Sequence, residues 1–147
     1  MGYRFDDLSS KVISVAVKVH RQLGPGFLES VYEQALKIEL SERGIPFEAQ
    51  KAVEVRYADQ VVGNHILDLM IADELIVELK AVSRFEDVHY AQVRSYLRAT
   101  DKRVGLLMNF NAPTLLVKRI VCNFEEGTPT RDVVRVQEQE ASGRAEQ

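Results

Sequence analysis

The chain has 147 residues, of which 46% are hydrophobic and 28% charged, values typical of one globular domain with its own core. The formal net charge of −3 argues against a uniformly basic surface that coats nucleic acid, although a local basic groove is compatible with it. The single cysteine, Cys122, excludes an internal disulfide or a four-cysteine metal site. No apolar stretch is long enough for a membrane helix, and the first residues lack a signal-peptide core. A cytoplasmic protein without a membrane partner is therefore expected.

Two helices are predicted at the start of the chain. Ser9 or Ser10 is placed to cap the first helix, whose apolar residues recur at three- and four-residue spacing. Residues 24–26, Gly-Pro-Gly, end it, and a second helix begins near Phe27. Gly44 suits the C-terminal end of this second helix. Its inward residues are expected to be Val31, Ala35, Leu36 and Leu40.

The apolar pattern then changes to alternation, which predicts strands at 53–57, 61–71 and 75–82. A helix over 84–100 and strands at 104–110 and 115–122 follow. Residues 1–124 thus predict a single α/β domain of order αα-βββ-α-ββ, in which helices flank a mixed sheet of about five strands. Residues 125–147 are polar and are predicted to be mostly a mobile tail, with a short edge strand at 133–136 as the alternative.

Two acids and a lysine interrupt the most apolar part of this sheet: Asp68, Glu78 and Lys80. Side chains two residues apart on a strand share a face, so Glu78 and Lys80 point the same way. A three-residue connection at 72–74 places Asp68 opposite Glu78, on the same face. A two-residue connection pairs Asp68 with Leu79 and separates the acids unless a bulge corrects the register. A shared site therefore predicts an odd loop or a bulge.

Carboxylates on adjacent strands suit a hard divalent cation such as Mg²⁺, which can bridge a phosphate and lower the pKa of a bound water. An ammonium beside them can stabilise charge that develops on the phosphate. The alternatives are an ordinary surface E-x-K pair or a buried ion pair between Glu78 and Lys80. Burying charges costs several kcal/mol each and brings little net stability. The apolar surroundings therefore suggest a use for these charges. From these three residues alone, hydrolysis of a phosphodiester and a structural role are equally good interpretations.

Polar residues also recur at helical spacing. Gln92 and Tyr96 are four residues apart and share a helix face, as do Glu29 and Tyr32, which are three apart. Each pair taken alone is more readily explained by packing or by solvent exposure than by function.

The combination of these residues resembles the RecB-like branch of the PD-(D/E)XK nuclease superfamily. In chain order the shared features are an acid on a preceding helix, Asp68, Glu78-Leu79-Lys80 and Gln92-x-x-x-Tyr96. The segment 26–32, Gly-Phe-Leu-Glu-Ser-Val-Tyr, also looks like the motif that names the bacterial and archaeal GxxExxY family. The similarity covers about residues 8–122.

The resemblance implies a restriction-endonuclease-like core and a nuclease that depends on Mg²⁺ or Mn²⁺ and acts on DNA rather than RNA. Some RecB-like nucleases hold an iron–sulfur cluster with cysteines that this chain lacks, so no such cluster is expected. The alternative is a non-catalytic module that retains the fold and binds nucleic acid or protein. A partner protein or a homo-oligomer is compatible with either reading.

The resemblance also implies roles for individual residues. Asp68 and Glu78 would be metal ligands, with the backbone carbonyl of Leu79 as a third candidate. Lys80 would assist the attacking water and the transition state. Glu29 would orient a metal-bound water or hold a second ion. The residues expected to contact nucleic acid or to brace the site are Gln92, Tyr96 and Tyr32.

Overall fold

The computed structural model describes residues 5–123 and 133–141. The helices among these residues are α1 (Phe5–Leu23), α2 (Glu29–Glu42) and α3 (Asp87–Thr100). The strands are β1 (Phe47–Tyr57), β2 (Gln60–Ile71), β3 (Leu75–Lys80), β4 (Val104–Asn109), β5 (Leu115–Asn123) and β6 (Val133–Ala141). They form one sheet in sequence order, in which β3 and β4 are parallel and every other pair is antiparallel. The predicted α/β class, mixed sheet and αα-βββ-α-ββ order are confirmed.

Strand β6 lies at the edge of the sheet, beyond β5. Its pairing with β5 runs from Asn123 opposite Val133 to Leu115 opposite Ala141. The strand is longer than the alternative considered for residues 133–136, and it makes the sheet six-stranded rather than five-stranded. A mobile tail was also expected in residues 125–147. The other positions of that range, 125–132 and 142–147, lie outside the described residues.

Helix α1 is longer than the sequence pattern indicates. It is already helical at Phe5, so the expected cap at Ser9 or Ser10 is wrong. Ser9 is buried within the helix, one residue after the fully buried Leu8, because the apolar stripe continues a turn further toward the N-terminus. None of the helices that the structure describes is long and apolar enough to cross a membrane.

Helix α2 ends as predicted but faces the core differently. Gly44 adopts a left-handed backbone with φ of 68°, and the next amide, that of Ile45, donates to the Leu40 carbonyl at 3.0 Å, as at many helix ends. Val31 was expected inside, yet 36% of its surface is exposed, whereas its neighbour Tyr32 is fully buried. The helix is therefore rotated so that the tyrosine, and not the valine, packs on the sheet.

The sheet has a hydrophobic core on each face. One core packs α1 and α2 against the sheet and includes Leu8, Tyr32, Leu36, Val77 and Leu106. The other packs α3 against the opposite face and includes Met70, Ile76, Val93, Leu97 and Leu107. Because side chains alternate along a strand, the polar residues at even-numbered positions of β3 share the α3 face with Ile76.

Helix α3 connects the parallel strands β3 and β4 and lies very close to β4. A Cβ atom added at Gly105 would be 2.6 Å from Cγ1 of Val93 and 3.7 Å from Cδ1 of Leu97. Only glycine allows this approach of helix and strand, because real Cβ atoms do not come so near another carbon. The close packing sets the distance between α3 and the polar residues of β3.

Strand β2 pairs with β1 over a much longer stretch than it pairs with β3. The turn between β1 and β2 has two left-handed residues, Ala58 with φ of 49° and Asp59 with φ of 62°, typical of a type I′ turn. On the other side, β2 pairs with β3 only through the three residues from Leu69 to Ile71. Asp68 is thus the first residue of β2 at which the two strands have separated.

Candidate active site

The register between β2 and β3 places the two predicted acids opposite each other. The pairs are Ile71 with Leu75, Met70 with Ile76 and Leu69 with Val77, so the next opposed residues are Asp68 and Glu78. This register follows from a three-residue connection at 72–74, in which positions 72 and 73 are left-handed. The odd loop that the sequence required is therefore present.

At this point the side chains replace the backbone pairing. The amide of Asp68 donates to Oε1 of Glu78 at 3.1 Å, and the amide of Leu79 donates to Oδ2 of Asp68 at 2.9 Å. Each acid thus caps the backbone of the opposite strand where the ladder ends. Both carboxylates are held at the resulting gap in the sheet.

Glu78 has an unusual protonation state for a carboxyl group. Only 4% of its surface is exposed. Burial, followed by the negative charge of Asp68, raises the pKa of Glu78 to about 8, while the Asp68 amide and the charge of Lys80 oppose the rise. Without a cation, Glu78 is therefore mostly protonated at neutral pH. A bound divalent cation would favour the ionised form, since an adjacent positive charge lowers a carboxyl pKa.

Lys80 is held by the helix that covers this face of the sheet. Its Nζ donates to Oε1 of Gln92 at 3.1 Å, so the ammonium is fixed by a neutral acceptor. Tyr96, one turn further along α3, is buried and packs edge-on against His65, with ring centroids 5.1 Å apart. Burial raises the pKa of Tyr96, and the charges of Glu78 and Asp68 raise it further. The structure thus brings Gln92 and Tyr96 to the acids and the lysine.

Glu29 approaches the gap from α2. It is the first residue of that helix, and its Oε1 accepts a hydrogen bond from the Ala81 amide at 3.4 Å. A cavity of about 210 Å³ opens between α2 and the strands and is lined by Glu29, Ser30, Glu33, Gln50, Asp68 and Leu79. Glu29 and Asp68 therefore face one small polar space.

The backbone carbonyl of Leu79 points toward the same gap. In a strand, the amide and the carbonyl of one residue point to the same side, and the Leu79 amide donates to Asp68. The next residue points the other way, since the Lys80 carbonyl accepts from the Phe110 amide at 2.9 Å on the β4 side. The Leu79 carbonyl, which has lost its strand partner, is thus positioned beside Asp68.

Tyr32 does not line this cavity. Its hydroxyl donates to the Gly24 carbonyl at 2.6 Å and accepts from the Phe27 amide at 3.2 Å. Its ring stacks on Phe110 with centroids 4.6 Å apart. Tyr32 therefore fastens the turn that precedes Glu29, which fits the bracing role and not direct contact with a ligand.

The sequence analysis assigned no role to three polar residues near the site: Glu33, Gln50 and Asn109. Glu33 is four residues after Glu29 and so shares its helix face, a spacing that could have identified it. Asn109 interrupts an apolar strand, as the acids do. Its side chain accepts from the Val82 amide at 3.1 Å and donates to the Val82 carbonyl at 2.8 Å. Asn109 thus ties the segment after Lys80 to β4.

The oxygen donors at the gap suit a hard cation that keeps several water ligands beside its protein ligands. Within residues 5–123 and 133–141, no group of three or more acidic, histidine or cysteine side chains is arranged to bind a metal. Mg²⁺ does not need one, because it commonly keeps several waters and takes one or two carboxylates. Asp68, Glu78 and the Leu79 carbonyl provide oxygen donors of this kind at one gap. The residues present therefore fit a divalent cation.

Comparison with known proteins agrees with this geometry. The family model described as the PD-(D/E)XK nuclease superfamily matches residues 6–120, a range that spans α1 to β5. The chain belongs to the PD-(D/E)XK nuclease superfamily. Searches of curated proteins and of solved structures gave no significant match.

Proposed function

We propose that this protein is a metal-dependent nuclease that hydrolyses phosphodiester bonds in DNA. The observation that carries the proposal is the convergence of Asp68, Glu78 and Lys80 at the gap between β2 and β3. Membership of a nuclease superfamily supports a nucleic-acid substrate. The proposal further specifies DNA as the nucleic acid and Mg²⁺ or Mn²⁺ as the metal.

The chain supplies a binding place and a fixed positive charge. Asp68, Glu78 and the Leu79 carbonyl would hold the cation, which would supply Lewis-acid polarisation of the phosphate and a lowered pKa for water. Lys80, held by Gln92, keeps an ammonium on the same strand face as Glu78, where it can stabilise negative charge on the phosphate oxygens. Glu29 lines the same cavity as Asp68 and Leu79, where it can orient water.

We further infer that the protein belongs to the GxxExxY family within the RecB-like branch. The segment 26–32 carries the motif spacing, with Glu29 at the cavity and Tyr32 fixing the turn before it. Gln92 at Lys80 and Tyr96 near the acids match the Gln-x-x-x-Tyr arrangement. These contacts support the assignment to that family.

The test is cleavage of supercoiled, linear double-stranded and single-stranded DNA, with RNA in parallel, in Mg²⁺, Mn²⁺ or EDTA. Asp68→Asn and Lys80→Met should each lower the rate by about 100-fold or more, a usual effect of removing one stabilising group from such a site. Lys102→Met is the matched control, because Lys102 pairs with Asp73 at 3.5 Å and does not line the cavity. No metal-dependent cleavage by the wild-type protein, or cleavage that is unchanged in both site variants, would refute the proposal.

A non-catalytic binding module is the second candidate function. It is favoured by one observation, namely that Glu78 is almost completely buried and its pKa is raised to about 8, so a cation must displace a proton before this carboxyl group can bind it. Calorimetry separates the two candidates: a nuclease takes up Mn²⁺ in a manner that depends on Asp68, whereas a module binds DNA equally with or without metal.

A further inference from the structure

Gln50 occupies a backbone conformation that its side chain does not favour. It lies on β1 between Ala49, which pairs with Leu69, and Lys51, which pairs with Leu67. It is therefore across from Asp68, and its φ of 51° is in the left-handed region. Residues other than glycine, asparagine and aspartate adopt this region at a cost in free energy. Conformations of this kind persist where the surrounding structure holds them and are often found at functional sites.

The side-chain amide of Gln50 joins two carboxylates. Its Nε2 donates to Oε1 of Glu33 at 2.5 Å and lies 3.5 Å from Oδ1 of Asp68. Glu33 is on α2 and only 8% of its surface is exposed. The short contact anchors the amide at a buried acid, and the longer one directs its second donor toward Asp68. Glu33 and Gln50 also line the cavity that contains Asp68.

Both oxygens of Asp68 therefore have a protein partner. Oδ2 accepts the Leu79 amide at 2.9 Å, and Oδ1 faces Gln50. Two partners on opposite sides restrict rotation of the carboxylate about its Cβ–Cγ bond. Hydrogen bonds of this type orient metal ligands, and their loss typically weakens metal binding about 10- to 100-fold.

We infer that Gln50 is a positioning residue that orients Asp68 for a divalent cation by linking its carboxylate to the buried Glu33. The inference rests on the nuclease function proposed above. It explains why a glutamine, and not a glycine, is placed at a left-handed position on the strand beside Asp68. A merely structural role, a tie between α2 and β1, would require the contact with Glu33 but not the one with Asp68.

The test is Mn²⁺ titration calorimetry on the full-length protein, with thermal unfolding in EDTA. Gln50→Gly removes the side chain and suits the left-handed backbone. Ala58→Gly is the matched control, because Ala58 has a φ of 49° in the β1–β2 turn, away from the site. Gln50→Asn is a second variant that also tolerates this backbone but is too short to join both acids.

Gln50→Gly and Gln50→Asn should raise the Mn²⁺ dissociation constant about tenfold, whereas Ala58→Gly should stay close to wild type. Thermal unfolding in EDTA should show that both Gln50 variants are folded at the temperature of the titration, although each loses the hydrogen bond to Glu33. Unchanged Mn²⁺ affinity in both Gln50 variants would overturn the positioning role and leave the nuclease proposal intact. A wild-type protein that takes up no Mn²⁺ would refute the nuclease proposal and this inference together.

Discussion

Asp68 and Glu78 stand opposite each other where β2 and β3 separate, and each accepts a hydrogen bond from the backbone of the other strand. The arrangement places a second carboxyl group next to one that is almost completely buried. Two ionised carboxylates at this separation repel each other, and the interior solvates neither as well as water does. The pair therefore opposes folding of the metal-free protein at pH values where both groups are ionised, and this effect can be measured as a change of stability with pH.

We expect Glu78→Gln to stabilise the metal-free protein at alkaline pH. The native pKa of about 8 lies above the ordinary pKa of 4.5 for a glutamate side chain, so between these values the native state binds more protons than the unfolded state. Stability then falls as pH rises through this window, and the loss is complete above pH 8. The substitution removes the titration but retains an oxygen that can accept from the Asp68 amide. The advantage over wild type should be absent near pH 4 and largest above pH 8.

Thermal unfolding in EDTA between pH 4 and 9 tests this expectation. At this chain length a gain of 1 kcal/mol raises the melting temperature by roughly 2–4 °C, so the difference at pH 9 should be several degrees. Glu48→Gln is the matched control, because Glu48 is an exposed residue of β1 paired with Lys51. A pH-independent effect of Glu78→Gln would contradict the raised pKa.

We expect divalent metal affinity to increase with pH up to about pH 8. Glu78 must lose its proton to become a ligand, so metal binding releases that proton. Below the native pKa of about 8, the apparent affinity should rise by about tenfold per pH unit, because one proton is displaced. Mn²⁺ titrations at pH 6, 7 and 8, in buffers of different ionisation enthalpy, measure both the affinity and the proton count. Binding that is independent of pH would indicate that Glu78 is not a ligand.

Much of the site can be predicted by counting residues along the strands and in the loop between them. Alternation places Glu78 and Lys80 on one face, and the length of the 72–74 connection decides whether Asp68 joins them. Both steps use only the alternation of side chains along a strand, so the sequence is sufficient to predict them. The superfamily motifs then extend the prediction to Glu29 and Gln92.

Other features depend on tertiary structure that a local pattern does not contain. The rotation of α2 exposes Val31 and buries Tyr32, because the hydroxyl of Tyr32 finds partners in the turn before the helix. Gln50 precedes the strand predicted at 53–57, and nothing in its local sequence assigns it a role. Its left-handed φ and its contact with Glu33 arise only when β1 has paired with β2 and α2 has packed over the gap.

We expect Lys80 and Gln92 to act as a unit. Lys80→Met should lower DNA cleavage by about 100-fold or more, because the positive charge is lost, and Gln92→Leu should lower it less, because the ammonium remains but is no longer held at 3.1 Å from its acceptor. In the Lys80→Met background, Gln92→Leu should have no further effect. A double-mutant cycle of cleavage rates in Mn²⁺ measures this coupling. Additive effects would show that Gln92 acts on the substrate independently of Lys80.

We expect Gly105→Ala to destabilise the fold through α3. The added methyl group would meet Val93 at 2.6 Å, and overpacking of this kind typically costs about 1–3 kcal/mol. Gly63→Ala is the matched control within the same sheet, because a Cβ there has no neighbour within 4 Å. Urea unfolding of both variants gives the difference. Equal stability would mean that α3 can move away from β4 without cost.

We expect Tyr32→Phe to weaken the fold and to leave nucleic-acid binding unchanged. The substitution removes the hydroxyl that joins the Gly24 carbonyl and the Phe27 amide but keeps the ring stacked on Phe110. Loss of such buried hydrogen bonds costs about 1–3 kcal/mol, which urea unfolding would detect, with the exposed Tyr57→Phe as the control. DNA affinity is measured by fluorescence anisotropy in Ca²⁺ to avoid turnover. Reduced affinity at unchanged stability would instead place Tyr32 in contact with the substrate, in conflict with the position of its hydroxyl.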